Sequence, residues 1–282
     1  SFEYQSIIPL NKSHDCLFVS KIKEKIPLHS PLHVGEELKG EKRMDFGFRE
    51  KIIVITGAAA GIGSAAAELF AQEGAKVMIA DLDSNRGKEI EKKIQDHSGY
   101  AEFHLVNITR EEEVQKMIHS IIASHHRIDI LVNNAGLYAH GDALSFNEEI
   151  WEKIVSVNIK GVLWCIKQVG LQMVKQKRGV IVNVASEAGL VGIANQIVYN
   201  LTKAAVISIT QSCAIDLIPY GIRTNCICPG TTLTSLVEAS LAQASDPFST
   251  REKLENSRPI QRLGKPEEIA AAILTLSSEV IG

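Results

Sequence analysis

The chain has 282 residues, a formal net charge of −3, 45% hydrophobic and 22% charged residues, which suits one large α/β core and a single domain. That balance lacks the basic excess that nucleic acid or an anionic membrane demands, so neither is expected, and a small neutral molecule is the expected partner. Five cysteines without C-x-x-C spacing, nine histidines without metal-ligand spacing and no apolar run near the about eighteen residues of a membrane span point to reduced thiols, no metal and a cytoplasmic location.

Residues 1–43 mix Lys, Glu, His and Pro without a sustained period and read as a poorly ordered extension. Met44, followed by Asp45-Phe46-Gly47-Phe48, resembles a natural start, so the folded domain is expected over 44–282. The apolar run Ile52-Ile53-Val54-Ile55 enters Thr56-Gly57-Ala58-Ala59-Ala60-Gly61-Ile62-Gly63 and then a helix-forming stretch to Glu73. In such a strand, turn and helix, glycines let a pyrophosphate approach the main chain, and the helix N-terminus supplies partial positive charge. The next strand, Lys76 to Ala80, ends at Asp81, about twenty residues beyond the glycines, where a carboxylate accepts from ribose hydroxyls and repels a 2′-phosphate. This spacing predicts NAD rather than NADP. Asp81 also suits the cap of a helix starting near Ser84.

A polar helix near 84–97, a strand near 101–106, a helix near 110–124 and the strand Ile128 to Val132 continue the alternation. Repeated βα units demand a parallel sheet covered on both faces. After that strand, Asn133-Asn134-Ala135-Gly136 pair small and amide residues that either let a cofactor lie close or make a plain turn. Trp151 to Gln172 reads as one long helix carrying Asn158 on an apolar face, where an Asn normally bonds backbone. Gly179 to Ala185 reads as a buried strand that puts Ser186 at its carboxyl end. Tyr199 and Lys203, four residues apart, share a helix face. A phenol of pKa about 10 is a poor base at neutral pH, and a neighbouring ammonium favours the phenolate. Tyr199 could then trade a proton with an alcohol or carbonyl whose oxygen Ser186 holds. Residues 231–260 carry Leu233, Leu236, Val237, Leu241 and Phe248 among polar residues, the pattern of a helical lid and equally of an unrelated surface helix.

In this order the chain resembles the short-chain dehydrogenase/reductase family over about residues 48–277: Thr-Gly-x-x-x-Gly-x-Gly at Thr56 to Gly63, Asn-Asn-Ala-Gly at Asn133 to Gly136, Asn158, Ser186, Tyr199 and Lys203, and Pro229-Gly230. The resemblance implies a single Rossmann-like, doubly wound parallel sheet with helices on both faces. It implies Tyr199 as acid/base, Ser186 positioning the reacting oxygen, Lys203 on the nicotinamide ribose and tuning Tyr199, and Asn158 holding a relay water. The cofactor would meet Gly57, Gly61, Ile62, Gly63, Asp81, Asn107, Asn134, Ala135, Gly136, Tyr199, Lys203, Pro229, Gly230 and Thr234.

Two departures stand out. Asn107 replaces a frequent aspartate at the adenine amino group, where an amide oxygen can still accept. The family's final strand and Asp-Gly-Gly turn have no counterpart before Gly282, which leaves the strand near 222–227 as an expected unpaired edge. The expected function is transfer of a hydride between the nicotinamide of NAD and a secondary alcohol or ketone, in a homodimer or homotetramer if the C-terminus is complete. The alternatives are a nucleotide-binding relative that is inactive or folding-defective, a 3-oxoacyl-carrier-protein reductase, and a hydroxy-acid dehydrogenase. Ala58 to Ala60 lack the basic residue of NADP-dependent carrier-protein reductases. Leu137, Tyr138, Leu190, Val191, Leu236 and Val237 predict apolar walls for an uncharged substrate. Glu187 would repel a carboxylate, although Arg251, Arg258 and Arg262 lie at the lid's far end.

Overall fold

Short Val- and Ile-rich runs that are apolar on both faces can only be buried in a parallel sheet covered twice. The computed structural model describes Asp45 to Val280, except Gln243 and Arg258 and the side chains of Leu236, Ala239 and Ser240. The extension expected over residues 1–43 lies outside the described residues, as do Arg258 and the Leu236 side chain.

In chain order the elements are β1 (Ile52–Thr56), α1 (Gly61–Gln72), β2 (Lys76–Asp81), α2 (Ser84–Asp96), β3 (Tyr100–Leu105), α3 (Glu111–His125), β4 (Ile130–Asn133) and α4 (Glu148–Val155). They continue with α5 (Val162–Gln176), β5 (Gly179–Val184), α6 (Ile197–Leu217), β6 (Ile222–Ile227), α7 (Ser235–Ala242), α8 (Pro247–Asn256) and α9 (Pro266–Ser277). The six strands are parallel in the order β3-β2-β1-β4-β5-β6. Alternate residues of each strand face opposite layers. Ile53, Ile55, Val77, Ile79 and Val182 pack with α1 and α9, whereas Val54, Met78, Leu131 and Ile181 pack with α3, α5 and α6. Strand order reverses between β1 and β4, which opens a crevice at the carboxyl ends of the strands. Among the described residues β6 pairs only with β5, so it forms the edge that the sequence led one to expect.

Three local features differ from the periodic reading. Ile128 and Asp129 precede β4, because the Asp129 carboxylate turns back to accept from Ile52 N (2.8 Å) and Arg127 Nε (2.8 Å). The expected single helix is α4 and α5 joined through a π turn over Ser156–Gly161. Finally, Glu148–Gln176 and Ile197–Tyr220 are long and apolar enough, by length and composition, to cross a membrane. Scattered polar residues hid this from a search for unbroken runs, and both stretches pack against the sheet.

Candidate active site

β1 feeds into Gly57 and Gly61, both left-handed (φ 65° and 59°), a conformation that glycine adopts without cost. No side chain caps α1 at Ala60, so its first-turn N–H groups suit an anion. Gly63 serves packing instead: a Cβ there would collide with Gly57 O and Asn134 Nδ2. Asn134 Nδ2 donates to Thr56 O (3.0 Å) and Gly57 O (2.9 Å), while Thr56 Oγ1 accepts from Asn134 N (3.1 Å) and Ala135 N (3.2 Å). Thr56, which sequence reasoning left out of the site, thus ties the β1 turn to the β4 turn.

Asp81 Oδ2 accepts from Ala59 N and Oδ1 from Asp83 N, both at 3.0 Å. The carboxylate is fixed, and each oxygen retains acceptor capacity. The helix cap falls to Asp83, whose side chain accepts from Asn85 N and Arg86 N. Asn107 Oδ1 accepts from Thr109 N (3.0 Å) and Thr109 Oγ1 (2.7 Å). The oxygen expected to face adenine is therefore taken, and Nδ2 is the group left to offer.

At the other end of the crevice, Ser186 follows β5 and caps one 3-10 turn, its Oγ accepting from Ala188 N (3.2 Å). A Cβ at Gly189 would lie 2.6 Å from Lys203 C, so glycine lets this turn rest on α6 and brings Ser186 close enough to Tyr199 to influence its hydroxyl. Lys203 Nζ donates to Val184 O (2.8 Å) and lies 5.7 Å from the centre of the Tyr199 ring. Burial lowers the Lys203 pKa to about 8. Burial likewise raises the Tyr199 pKa, against the lowering effect of the Ser186 hydrogen bond, and the Glu187 charge raises it further. The ammonium expected to favour the phenolate is turned to a strand carbonyl, and burial wins.

Asn158, 1% exposed, sits in the π turn. Its Oδ1 accepts from Leu137 N (2.7 Å), and its Nδ2 donates to Leu137 O (2.9 Å) and Thr202 Oγ1 (3.0 Å). That side chain clamps the segment after β4 onto α6.

Apart from Gly63 and Asn158, every residue predicted for the site lines one cleft of about 1340 Å³. Drug-sized ligands fill about 300–1,000 Å³, so a dinucleotide and a small substrate fit together, with the capless α1 and the fixed Asp81 at one end and Tyr199 at the other. Leu137, Tyr138 and Val237 line the cleft as expected. Leu190 and Val191 do not, being 65% and 59% exposed. The Tyr138 ring stands edge-on to Tyr199 with centroids 5.1 Å apart, and its hydroxyl pairs with His140 Nδ1 (3.2 Å). His140, Glu187, Gln196, Thr250 and Ser257 add polar lining. Most come from aperiodic loops or short helices, where sequence offers no signal of direction. Arg251 pairs with Glu255 (2.9 Å) and Arg262 with Glu268 (2.5 Å), and neither lines the cleft.

The model of the family described as short chain dehydrogenase matches residues 51–245. The chain belongs to the short-chain dehydrogenase family. It is therefore an oxidoreductase by family. It is 41% identical over 235 residues to an uncharacterized oxidoreductase of Thermotoga maritima, covering 83% of this chain and 93% of the relative. It is 36% identical over 229 residues to a 3-oxoacyl-[acyl-carrier-protein] reductase of the same organism, covering 81% and 91%. A solved NAD+-bound xylitol dehydrogenase shares the fold with a TM-score of 0.79 at 29% identity, over 83% of this chain and 94% of that one.

Proposed function

We propose that this short-chain dehydrogenase uses NAD to interconvert a neutral secondary alcohol and its ketone, with Tyr199 as acid/base. The observation that carries the reading is the convergence of Ser186, Tyr199 and Lys203 on the same cleft as the Gly57–Gly61 turn and Asp81. NAD supplies the hydride acceptor, or the donor in the reverse direction. Ser186 Oγ and Tyr199 Oη hold the substrate oxygen: in reduction the Tyr199 phenol, kept protonated by burial, gives its proton to the oxygen as the alcohol forms, and in oxidation the Tyr199 phenolate, its proton first released to solvent, takes the alcohol proton as the ketone forms. Lys203, braced on Val184 O, would hold the nicotinamide ribose. Because the Asn158 side chain is committed to Leu137 and Thr202, a relay water would fall to the Asn158 main-chain carbonyl, in a π turn of the kind often found at functional sites. Asp81 offers its remaining lone pairs to the adenosine ribose, with Gly136, Pro229, Gly230 and Thr234 along the cofactor's path.

Glu187 in the lining disfavours a carboxylate substrate, and Arg251 and Arg262 are committed to glutamates. His140, Gln196 and Tyr138 suit a substrate with further hydroxyls, in keeping with the xylitol dehydrogenase likeness. The carrier-protein reductase relative supports a second reading, which Ala58 to Ala60 weaken by offering no cation to a 2′-phosphate. A cytoplasmic homo-oligomer is part of the same proposal.

The test is steady-state kinetics of purified protein with NAD or NADP and secondary alcohols, followed as reduced nicotinamide, alongside Tyr199→Phe. The variant should lose about 10²–10⁴-fold in turnover, the usual scale of general acid–base loss, while binding NADH normally. Near-wild-type turnover in Tyr199→Phe would sink the mechanism, and a wild-type preference for NADP the cofactor assignment.

A further inference from the structure

Behind the catalytic residues lies a thiol pair that the proposed reaction does not use. Cys226 and Cys228 are both partly buried and both pack on the layer formed with α6, whereas Ile227 between them faces the α9 layer. The two thiols therefore stand two residues apart on one side of the strand, each acting on the other's ionisation, and Cys228 also feels the Ser186 backbone and the Lys203 charge. The residues that follow are functional ground: Pro229 O accepts from Glu187 N (3.0 Å), and Pro229 and Gly230 line the cleft.

We propose that Cys226 and Cys228 form an oxidation site that closes a reversible disulfide and thereby weakens cofactor binding, an effect that rests on the dinucleotide reading of the cleft. Hydrogen peroxide is the oxidant. The Cys226 thiolate attacks one peroxide oxygen, the O–O bond breaks, and sulfenic acid and water form with one added proton. Cys228 sulfur then displaces the sulfenic oxygen as a second water. In all, two thiols and one peroxide give one disulfide and two waters, with two electrons passing from sulfur to oxygen. The neighbouring Cys228 thiol, against the effect of burial, holds the Cys226 thiol below the ordinary cysteine value, which favours the thiolate that attacks peroxide.

Residues two apart on an extended strand have Cα atoms about 6.6 Å apart, near the upper end of the about 4.4–6.8 Å that disulfides span. Closing the bond therefore puckers the last residues of β6, Cys226 and Ile227, and pulls Pro229 and Gly230 with them. A bond strained in this way is readily reduced, as suits a switch.

The experiment treats the full chain with peroxide, alkylates and digests it with trypsin, which leaves both cysteines in the peptide Thr224 to Arg251. It also titrates NADH by fluorescence. The expected peptide is lighter by the two thiol hydrogens and resists alkylation until dithiothreitol is added, and NADH affinity falls several-fold and recovers on reduction. Cys226→Ser should bind NADH like the parent and ignore peroxide. Alkylation of both cysteines after peroxide, linkage to Cys213 or to another chain, or a closed disulfide with unchanged NADH affinity each overturns the proposal. Reduced protein that cannot bind NADH indicts the dinucleotide reading, and the peptide map of the unmutated chain still decides the thiol pair.

Discussion

Asp81 is held from two sides by backbone N–H groups, so its charge stays in place whether or not a ribose meets it. Asp81→Ala should weaken NADH and relax discrimination against NADPH by about 1–3 kcal/mol, the scale of a lost charge-assisted hydrogen bond. Fluorescence titration with the two nucleotides checks this, and an unchanged ratio of dissociation constants refutes the contact. Lys203 allows a prediction with a definite sign. Its folded pKa of about 8 lies below the ordinary lysine value of 10.5, so the unfolded chain binds more protons between those pH values. Below pH 8 the fold carries the full penalty of a buried ammonium, and that penalty fades as pH rises towards 10.5. Wild type should thus gain on the order of 1–2 kcal/mol relative to Lys203→Met between pH 7 and 9.5 in urea denaturation, and a pH-independent difference would exclude it. At this scale the sequence singled out Tyr199, Lys203 and Ser186 by type and spacing, and the structure places all three on one cleft. Their orientation stayed hidden: the turn of Lys203 to Val184 O and the use of Asn107 Oδ1 by Thr109 depend on backbone groups that no spacing encodes.

Helix α1 packs against the Gly57 turn only because Gly63 has no side chain. Gly63→Ala would press a methyl group into Gly57 O and Asn134 Nδ2, groups held in the backbone lattice of the site. Such overpacking costs about 1–3 kcal/mol, and NADH affinity should fall at least tenfold because the displaced turn is the proposed binding surface. Gly170 in α5 is the control, since a Cβ there meets nothing within 4 Å. Gly170→Ala should stabilise the fold by about 0.5–1 kcal/mol and leave NADH titrations unaltered. Equal loss of NADH affinity in both variants would show that Gly63 has no special place. The alternation of strands and helices was legible in the sequence because short unbroken apolar runs and a period of 3.6 are physical consequences of burial on two faces and on one. The π turn was not, since one widened turn barely disturbs the apolar stripe on either side. Nor was the split of residues 231–260 into α7 and α8, which depends on Asp246 accepting from Ser249 N and on Pro247 opening the second helix.

At the scale of the whole molecule, α6 with its following 3-10 turn poses a burial problem. The stretch Ile197–Tyr220 is apolar enough to span a membrane by composition, yet only 22% of its apolar window is buried. Leu201 and Ile215 on it are 44% and 75% exposed, and Leu163 and Leu171 on α5 are 40% and 57% exposed. A helix that is apolar on its solvent side needs a cover, and a second copy is the simplest, because a twofold axis lets one surface cover its own duplicate. Sedimentation velocity of the purified chain at micromolar concentration should give a dimer or a tetramer. Leu171→Glu combined with Ile215→Glu should shift it to monomer, since each places a charge where the apolar surface would close. Because Ser186, Tyr199 and Lys203 lie at the carboxyl ends of the strands and away from those side chains, the dissociated variant should still bind NADH, though with lower thermal stability. A wild-type monomer, or an assembly indifferent to both charges, would remove these helices as the contact surface.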